Sequence, residues 1–481
     1  MTRRAGRPIF AALALAGLAY SINQSLVAPA LPALQRQFGV SASAVSWVMT
    51  SYLLSSSVLT VLLGRVGDMV GRRRMLLWAI AIFAAGSALG ALADSLPVLL
   101  VARLVQGAGG AIFPLAFGVF RDELPGRQAS HALSMMSAIL GVGGGLGIVL
   151  AGPVVEGLGT RALFWTSLPL IAVSMLACRL VVPESAERAG GRMSWSSPAL
   201  LAAWLTCMLL AIGQGPEWGW TSVPIVALAV AAAILVVAWA RHESTAANPV
   251  VDIALMRVRN VWTANLAAFG IGAAMYTTFL LIPQFVETAP SHGYGFGASV
   301  SVGGYFLLPL TVLMLIVSPL GARGESRFGA RTMVLAGSAL DFAGFVLLAL
   351  LHSTRFEVLL ASGLIGVGLG LAFASIASVV VAAVPGTRTA VVAGMNTVTR
   401  SVGGLLGNAV AGSLLAAATA AGATVPAAHG YTLAFVAGAG VAAIGLLASF
   451  FIAPERSRQR RAPGSRGSEP TPTQPQTLTG G

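Results

Sequence analysis

Long apolar runs, separated by short polar ones, fill this chain almost from end to end. Fourteen such runs begin near Ile9, Val45, Met75, Pro97, His131, Ala162, Pro198, Val223, Val261, Val300, Thr332, Glu357, Ala390 and Tyr431. Each is roughly 17 to 25 residues long, the length an α-helix needs to cross the hydrocarbon layer. Hydrocarbon offers no partner to a backbone N–H or C=O, so spans of this kind satisfy themselves as helices. The pattern therefore predicts an all-α, multi-pass membrane protein of about fourteen transmembrane helices. One interruption stands out, GRVGDMVGRRR from Gly64 to Arg74.

Composition narrows the function. The chain is 56% hydrophobic and 9% charged, whereas a soluble domain carries about a quarter charged residues. The first span follows Arg3, Arg4 and Arg7, but its apolar run is too long for a secretory signal, so an uncleaved helix is expected. Cys178 and Cys207 fall in or beside apolar runs, the setting of buried thiols rather than a disulfide framework. Every basic residue is arginine, and a phosphate-binding P-loop requires a lysine. No H-E-x-x-H pair or G-x-S-x-G elbow is present, and no nucleophile, base and orienting group come together, so an enzyme is not expected. None of the five histidines has a second ligand at metal spacing; no metal and no cofactor are expected.

The net charge of +13 raises the question of nucleic acid, but its distribution answers it. When loops are assigned alternately to two sides, one side collects Arg7, Arg65, Arg72, Arg73, Arg74, Arg121, Arg179, Arg241, Arg323, Arg327, Arg331 and Arg388, while the other holds Arg36, Arg161 and Arg355. By the positive-inside rule the rich side is cytoplasmic, with both termini there, in the cell membrane. No nucleic-acid partner is expected. From Glu455 the tail turns basic and then Ser-, Pro-, Thr-, Gln- and Gly-rich, a composition that cannot bury a core; residues 455–481 are expected to be a disordered cytoplasmic tail. Its arginines serve either as a topogenic anchor or as a contact for anionic headgroups.

A second polar interruption, GARGESRFGAR from Gly321 to Arg331, resembles the first. Aligned without gaps, Gly64 falls on Gly321 and Asp68 on Glu325, while Phe328 takes the place of Gly71 and Gly329 comes one position late. Such halves are common in secondary transporters, with the substrate site near the midplane between them. Gly64, Asp68, Gly71, Arg72 and Arg73 match the loop between spans 2 and 3 of the major facilitator superfamily, and the chain resembles that family's fourteen-span drug:proton antiporter branch. LVARLVQG, Leu100 to Gly107, is similar to the span 4 motif with its arginine, Arg103, and glutamine, Gln106. Gly152 and Pro153 resemble the span 5 motif of exporters, although Glu156 stands where a glycine is usual. Asn396, Arg400, Gly403, Gly404 and Gly407 resemble the family's span 13. Asn23 departs from it, standing where many relatives place an acid before the Ala30-Leu31-Pro32 run.

The resemblance implies an N-terminal six-helix bundle over 1–190, two linker helices over 191–245 and a C-terminal six-helix bundle over 246–454. Asn248 to Asp252 resembles the lead-in to the second bundle. It further implies a gate formed by Gly64, Asp68, Gly71, Arg72 and Arg73, with Gly152 and Pro153 in the moving region. Candidates for proton coupling are Arg103, Glu156, Asp341 and Arg400. Each has a structural alternative: pairing with carboxylates or helix carbonyls for the arginines, and packing or solvation for the acids, Glu287 among them. Candidate cavity-lining residues are Tyr20, Asn23, Gln24, Gln106, Phe113, Tyr276, Phe279, Phe373 and Asn396, an aromatic and uncharged polar set suited to a lipophilic or amphipathic substrate. The expectation is a monomeric, proton-coupled exporter of drugs or antibiotics in the lipid bilayer. A narrow-substrate carrier and a non-transporting membrane sensor are the alternatives.

Overall fold

A computed structural model describes residues 6–40, 42–185, 196–246, 249–419 and 425–453. The basic tail 455–481, Arg3, Arg4 and Asn248 lie outside the described residues. Fourteen long helical stretches follow one another: α1 (Gly6–Leu26), α2 (Ala42–Val70), α3 (Arg72–Ala91), α4 (Leu96–Glu123), α5 (Gly126–Leu158), α6 (Ala162–Val181), α7 (Ser196–Trp218), α8 (Val223–Thr245), α9 (Arg259–Glu287), α10 (Leu308–Phe328), α11 (Ala330–Leu350), α12 (Arg355–Ala382), α13 (Thr389–Ala417) and α14 (Ala428–Phe450). Thirteen of them are long and apolar enough to cross a membrane. The exception is α13, where Asn396, Arg400 and Asn408 dilute an otherwise apolar helix of 29 residues. Among the described residues there is no strand.

The packing repeats. In the first six helices α1 lies on α5 and α6, α4 on α2 and α3, and α3 on α6; in the last six α9 lies on α13 and α14, α12 on α10 and α11, and α11 on α14. Two six-helix bundles with the same internal contacts result. They meet through α2 against α13 and α5 against α10, pairs that exchange under the same correspondence of halves. Helix α7 touches both α2 and α13, whereas α8 packs on α7. Burial follows this order, from 83% of the central window of α12 to 17% of that of α8. Glu243 near the end of α8 is buried and accepts hydrogen bonds from Ser197, Trp239 Nε1 (3.1 Å) and the Val250 nitrogen (3.0 Å), which fastens the lead-in to the second bundle.

The two polar interruptions share a turn. Gly71 (φ 131°) separates α2 from α3, and Gly329 (φ 84°) separates α10 from α11. Side chains other than glycine rarely adopt such angles. The gap-free alignment is thereby corrected: Gly329, not Phe328, is the counterpart of Gly71, because the reversal between helices requires a positive φ at that point.

Glycines also bring helices together. A Cβ at Gly270 in α9 would collide with the backbone of Gly445 in α14, and one at Gly337 in α11 with the backbone of Gly368 in α12. Small residues at such crossings let backbones approach closely, and packing is the main attraction between helices in lipid. Gly337→Leu is therefore expected to cost about 1–3 kcal/mol or more through overpacking, lowering the thermal unfolding midpoint in detergent. Gly440→Ala, with open space around it, should leave that midpoint unchanged; equal effects of the two would refute close packing at Gly337.

Candidate functional site

Where the bundles meet, two small voids lie near the middle of the helices. The larger, about 20 Å³, is lined by Tyr20 and Gln24 of α1, Ser56, Ser57 and Thr60 of α2, Phe113 of α4, Tyr276 of α9 and Arg400 of α13. It has room for about one water molecule. The second, about 10 Å³, adjoins Phe117, Ser137, Phe373, Asn396 and Arg400. Both halves supply walls to each. Drug-sized ligands occupy sites of about 300–1,000 Å³, so a ligand of that size requires the bundles to part.

The glycine-rich middle of α4 shapes this region. Gly107 to Ala111 forms a 3-10 turn, and Gly107 and Gly110 press against Ser55, Ser56 and Thr60 of α2. The hydroxyls of α2 thus stand beside Tyr20, whose OH lies 3.2 Å from Ser56 Oγ. Gln24 Nε2 donates to Tyr276 OH at 2.9 Å, joining α1 to α9 across the halves. Tyr20 and Phe113 meet edge to face at 6.0 Å.

Among the expected lining residues, Tyr20, Gln24, Phe113 and Tyr276 reach the larger void and Phe373 and Asn396 the smaller. Three do not. Asn23 is fully buried and donates to Ser167 Oγ of α6 at 2.9 Å, and Gln106 donates to Ser87 Oγ of α3 at 3.0 Å. Both face the interior of the first bundle. Phe279 packs on Tyr276, with ring centroids 6.3 Å apart, and reaches toward Gly144 of α5. Asn396 also donates to Asn265 Oδ1 at 2.9 Å, tying α13 to α9. The hydroxyls at Ser56, Ser57, Thr60 and Ser137 were not singled out from the sequence, although the Ser55–Ser57 run in an apolar span was a visible signal.

The two arginines buried in mid-helix differ. Arg103 donates from Nε to the Val48 carbonyl (3.1 Å) and from Nη1 to Gln106 Oε1 (2.8 Å), and its guanidinium lies 4.1 Å from the Tyr52 ring centroid. It borders neither void. Arg400 borders both and lies 5.0 Å from the Phe373 ring centroid. Asp341 is buried against Gly368 at the α11–α12 crossing, and neither carboxyl oxygen has a hydrogen-bond partner among the described residues. Glu156 and Pro153 are exposed toward the end of α5, with Gly152 half-buried beside them. Glu287 is half-buried and lines an open groove of about 510 Å³ with Gln284, Thr288 and Tyr431.

At the arginine-rich end the halves are fastened. Arg72 donates to Asp68 Oδ1 from Nε (2.9 Å) and Nη2 (2.7 Å), and from Nη1 to Asp122 (2.5 Å) and the Gly118 carbonyl (3.1 Å). Asp68 Oδ2 accepts from the Val391 nitrogen of α13 at 3.2 Å. Nearby, Arg121 donates to the carbonyls of Val381 (2.7 Å) and Val384 (2.6 Å) and to Thr389 Oγ1 (2.7 Å). Gly64 packs against the Ala390 backbone and Gly71 against Glu184, while Arg73 donates to the Arg179 carbonyl at 2.7 Å. Asp122 and the bridging role of Arg121 were missed, since the sequence marks them only as loop charge. Arg65 is buried here too, within the field of Arg388, Asp68 and Glu243.

Two pseudo-symmetric helical bundles that meet around a central region of mixed polarity, in a chain of membrane-spanning helices, define a carrier-type membrane transporter. The Major Facilitator Superfamily model matches residues 13–408, and the chain belongs to that family. It is 31% identical over 399 residues to the multidrug resistance protein Stp of Mycobacterium tuberculosis, covering 82% of this chain and 73% of that one. It is 28% identical over 418 residues to the tetracenomycin C resistance and export protein of Streptomyces glaucescens, covering 85% and 76%. Among solved structures, the human organic anion transporter MFSD10 (TETRAN) superposes with a TM-score of 0.68 at 17% identity, covering 94% of this chain and all of that one.

If the bonds of Arg121 hold the seam shut, Arg121→Gln should raise the alkylation rate of a cysteine placed at Thr60, which is buried beside Gly394 of α13. Hydrogen bonds to charged groups contribute about 1.5–3 kcal/mol each, so a rise of about tenfold or more is expected with an impermeant reagent applied from the arginine-rich side. An unchanged rate would show that these bonds do not hold the seam.

Proposed function

We propose that this chain is a proton-coupled exporter of lipophilic or amphipathic drugs or antibiotics, working by alternating access across the cell membrane. The observation that carries the reading is a central region walled by both halves and fastened at one end by Asp68, Arg72 and Arg121. A carrier needs a site shared between two bodies and a removable seal on one side of it. Family membership and the likeness to proteins named for multidrug resistance and antibiotic export point to the substrate class and the direction.

On this reading α13 also spans the membrane, which brings the spans to fourteen, and the protein is a monomer with both termini in the cytoplasm. Residues 1–190 and 246–454 form the two moving bodies, and 191–245 the linker pair. Asp68, with Gly64, Gly71, Arg72 and Arg73, forms the cytoplasmic gate. Gly152 and Pro153 lie in the region of α5 that adjusts as the halves rock. Among the candidates for the coupling proton, Asp341 is buried without a hydrogen-bond partner among the described residues, whereas Glu156 is exposed toward the end of α5.

Everted vesicles holding an inward-acidic gradient test the proposal. Adding substrates from a panel of lipophilic antibiotics should dissipate the gradient, and whichever of Asp341→Asn and Glu156→Gln abolishes that response carries the coupling. No response across the panel would count against drug export and favour a narrow-substrate carrier. Asp68→Asn should slow turnover about tenfold with substrate binding largely kept; unchanged turnover would remove Asp68 from the gate.

A further inference from the structure

Arg400 is 9% exposed, and that exposure opens onto the two central voids. Its guanidinium has no hydrogen bond and no ion pair among the described residues, only the face of Phe373 at 5.0 Å. Arg103, which is fully buried, spends its donors on the Val48 carbonyl and Gln106. A guanidinium carries five N–H donors, and leaving a buried charge without a partner is strongly unfavourable. Among the described residues none that lines either void is acidic, and Asp341, Glu156 and Glu287 lie elsewhere. A cation entering this region would therefore meet a like charge with nothing to offset it.

A second donor faces the same space. Tyr276 OH accepts from Gln24 Nε2, which leaves its own proton to donate. Phe113 and Phe373 supply apolar walls. We propose that Arg400 is a substrate-recognition residue and that the transported compounds are aromatic organic anions, whose carboxylate or ionised enol or phenol meets Arg400 and Tyr276 while the ring system lies along Phe113 and Phe373. Planar oxyanions match the fork of a guanidinium in a way that an ammonium or neutral head does not. This rests on the transporter reading above and fixes the charge of its substrate.

The test is a set of matched probes, 2-naphthoate, 2-naphthamide and 2-naphthylmethylammonium, titrated against the purified full chain in detergent with tryptophan fluorescence and thermal shift as readouts, in gluconate and in chloride buffer. The carboxylate should bind at least tenfold tighter than the amide, with the ammonium weakest. Arg400→Gln should erase that ranking, and Arg400→Lys should retain part of it. Should Arg400→Gln not fold, the wild-type ranking alone decides: equal or tighter binding of the ammonium overturns the proposal. So does a ranking that survives in Arg400→Gln, or one that disappears in chloride, which would mark a site for an inorganic anion. Flux in proteoliposomes separates the two claims. Arg400-dependent anion binding without flux of any compound would sink the exporter reading and leave Arg400 only as a binding residue, whereas drug flux unaltered by Arg400→Gln would sink only this proposal.

Discussion

A charge placed among apolar helices has to find its complement inside the protein, because neither lipid nor bulk water will supply it. Much of the arrangement here follows from where Asp68, Arg72, Glu243 and Arg103 do so. Asp68 and Arg72 complete one another and reach Asp122 and the second bundle. Glu243 gathers backbone nitrogens at the start of that bundle. Arg103 uses the carbonyl of α2 and its own neighbour one turn on. These side chains fasten helices to one another by directional bonds, in addition to their packing.

The glycines act in the opposite sense. At α9–α13, Gly272 abuts the backbone of Arg400, Gly403 that of Phe269 and Gly404 the ring of Tyr276. At α5–α10 across the halves, Gly141 and Gly145 meet Met314 and Thr311. Such surfaces are smooth and close, so van der Waals contact is large while few specific bonds have to break when one helix shifts on another. Between the bundles, polar contacts gather at the arginine-rich end, while glycine-lined contact prevails at α5–α10.

Much of the fold was legible in the sequence, since length and apolarity of a run decide whether it spans. Helix α13 was read correctly as a helix although its polar residues make it the least apolar of the set. The site was legible only in part. Tyr20, Gln24 and Tyr276, expected to line a cavity, and Arg400, expected to take part in proton coupling, border one void, but Asn23 and Gln106 turn into the first bundle. In a helix that is apolar nearly all round there is no amphipathic face to tell inward from outward, and a polar side chain serves a neighbour as readily as a ligand. The partners of Arg121, some 260 residues away along the chain, follow from tertiary contact and leave no local trace. The shifted glycine of the second polar loop is a different case, because only the backbone angle at Gly329 identifies the true correspondence.

The bonds that cross between the bundles at the arginine-rich end terminate mostly on main-chain atoms: the nitrogen of Val391 and the carbonyls of Val381 and Val384. Any residue but proline offers the first of these, and any residue at all the other two. The latch therefore demands particular side chains of one bundle and almost none of the other. Substitutions in the second bundle, the walls of the central voids included, therefore leave the main-chain partners of these bonds in place.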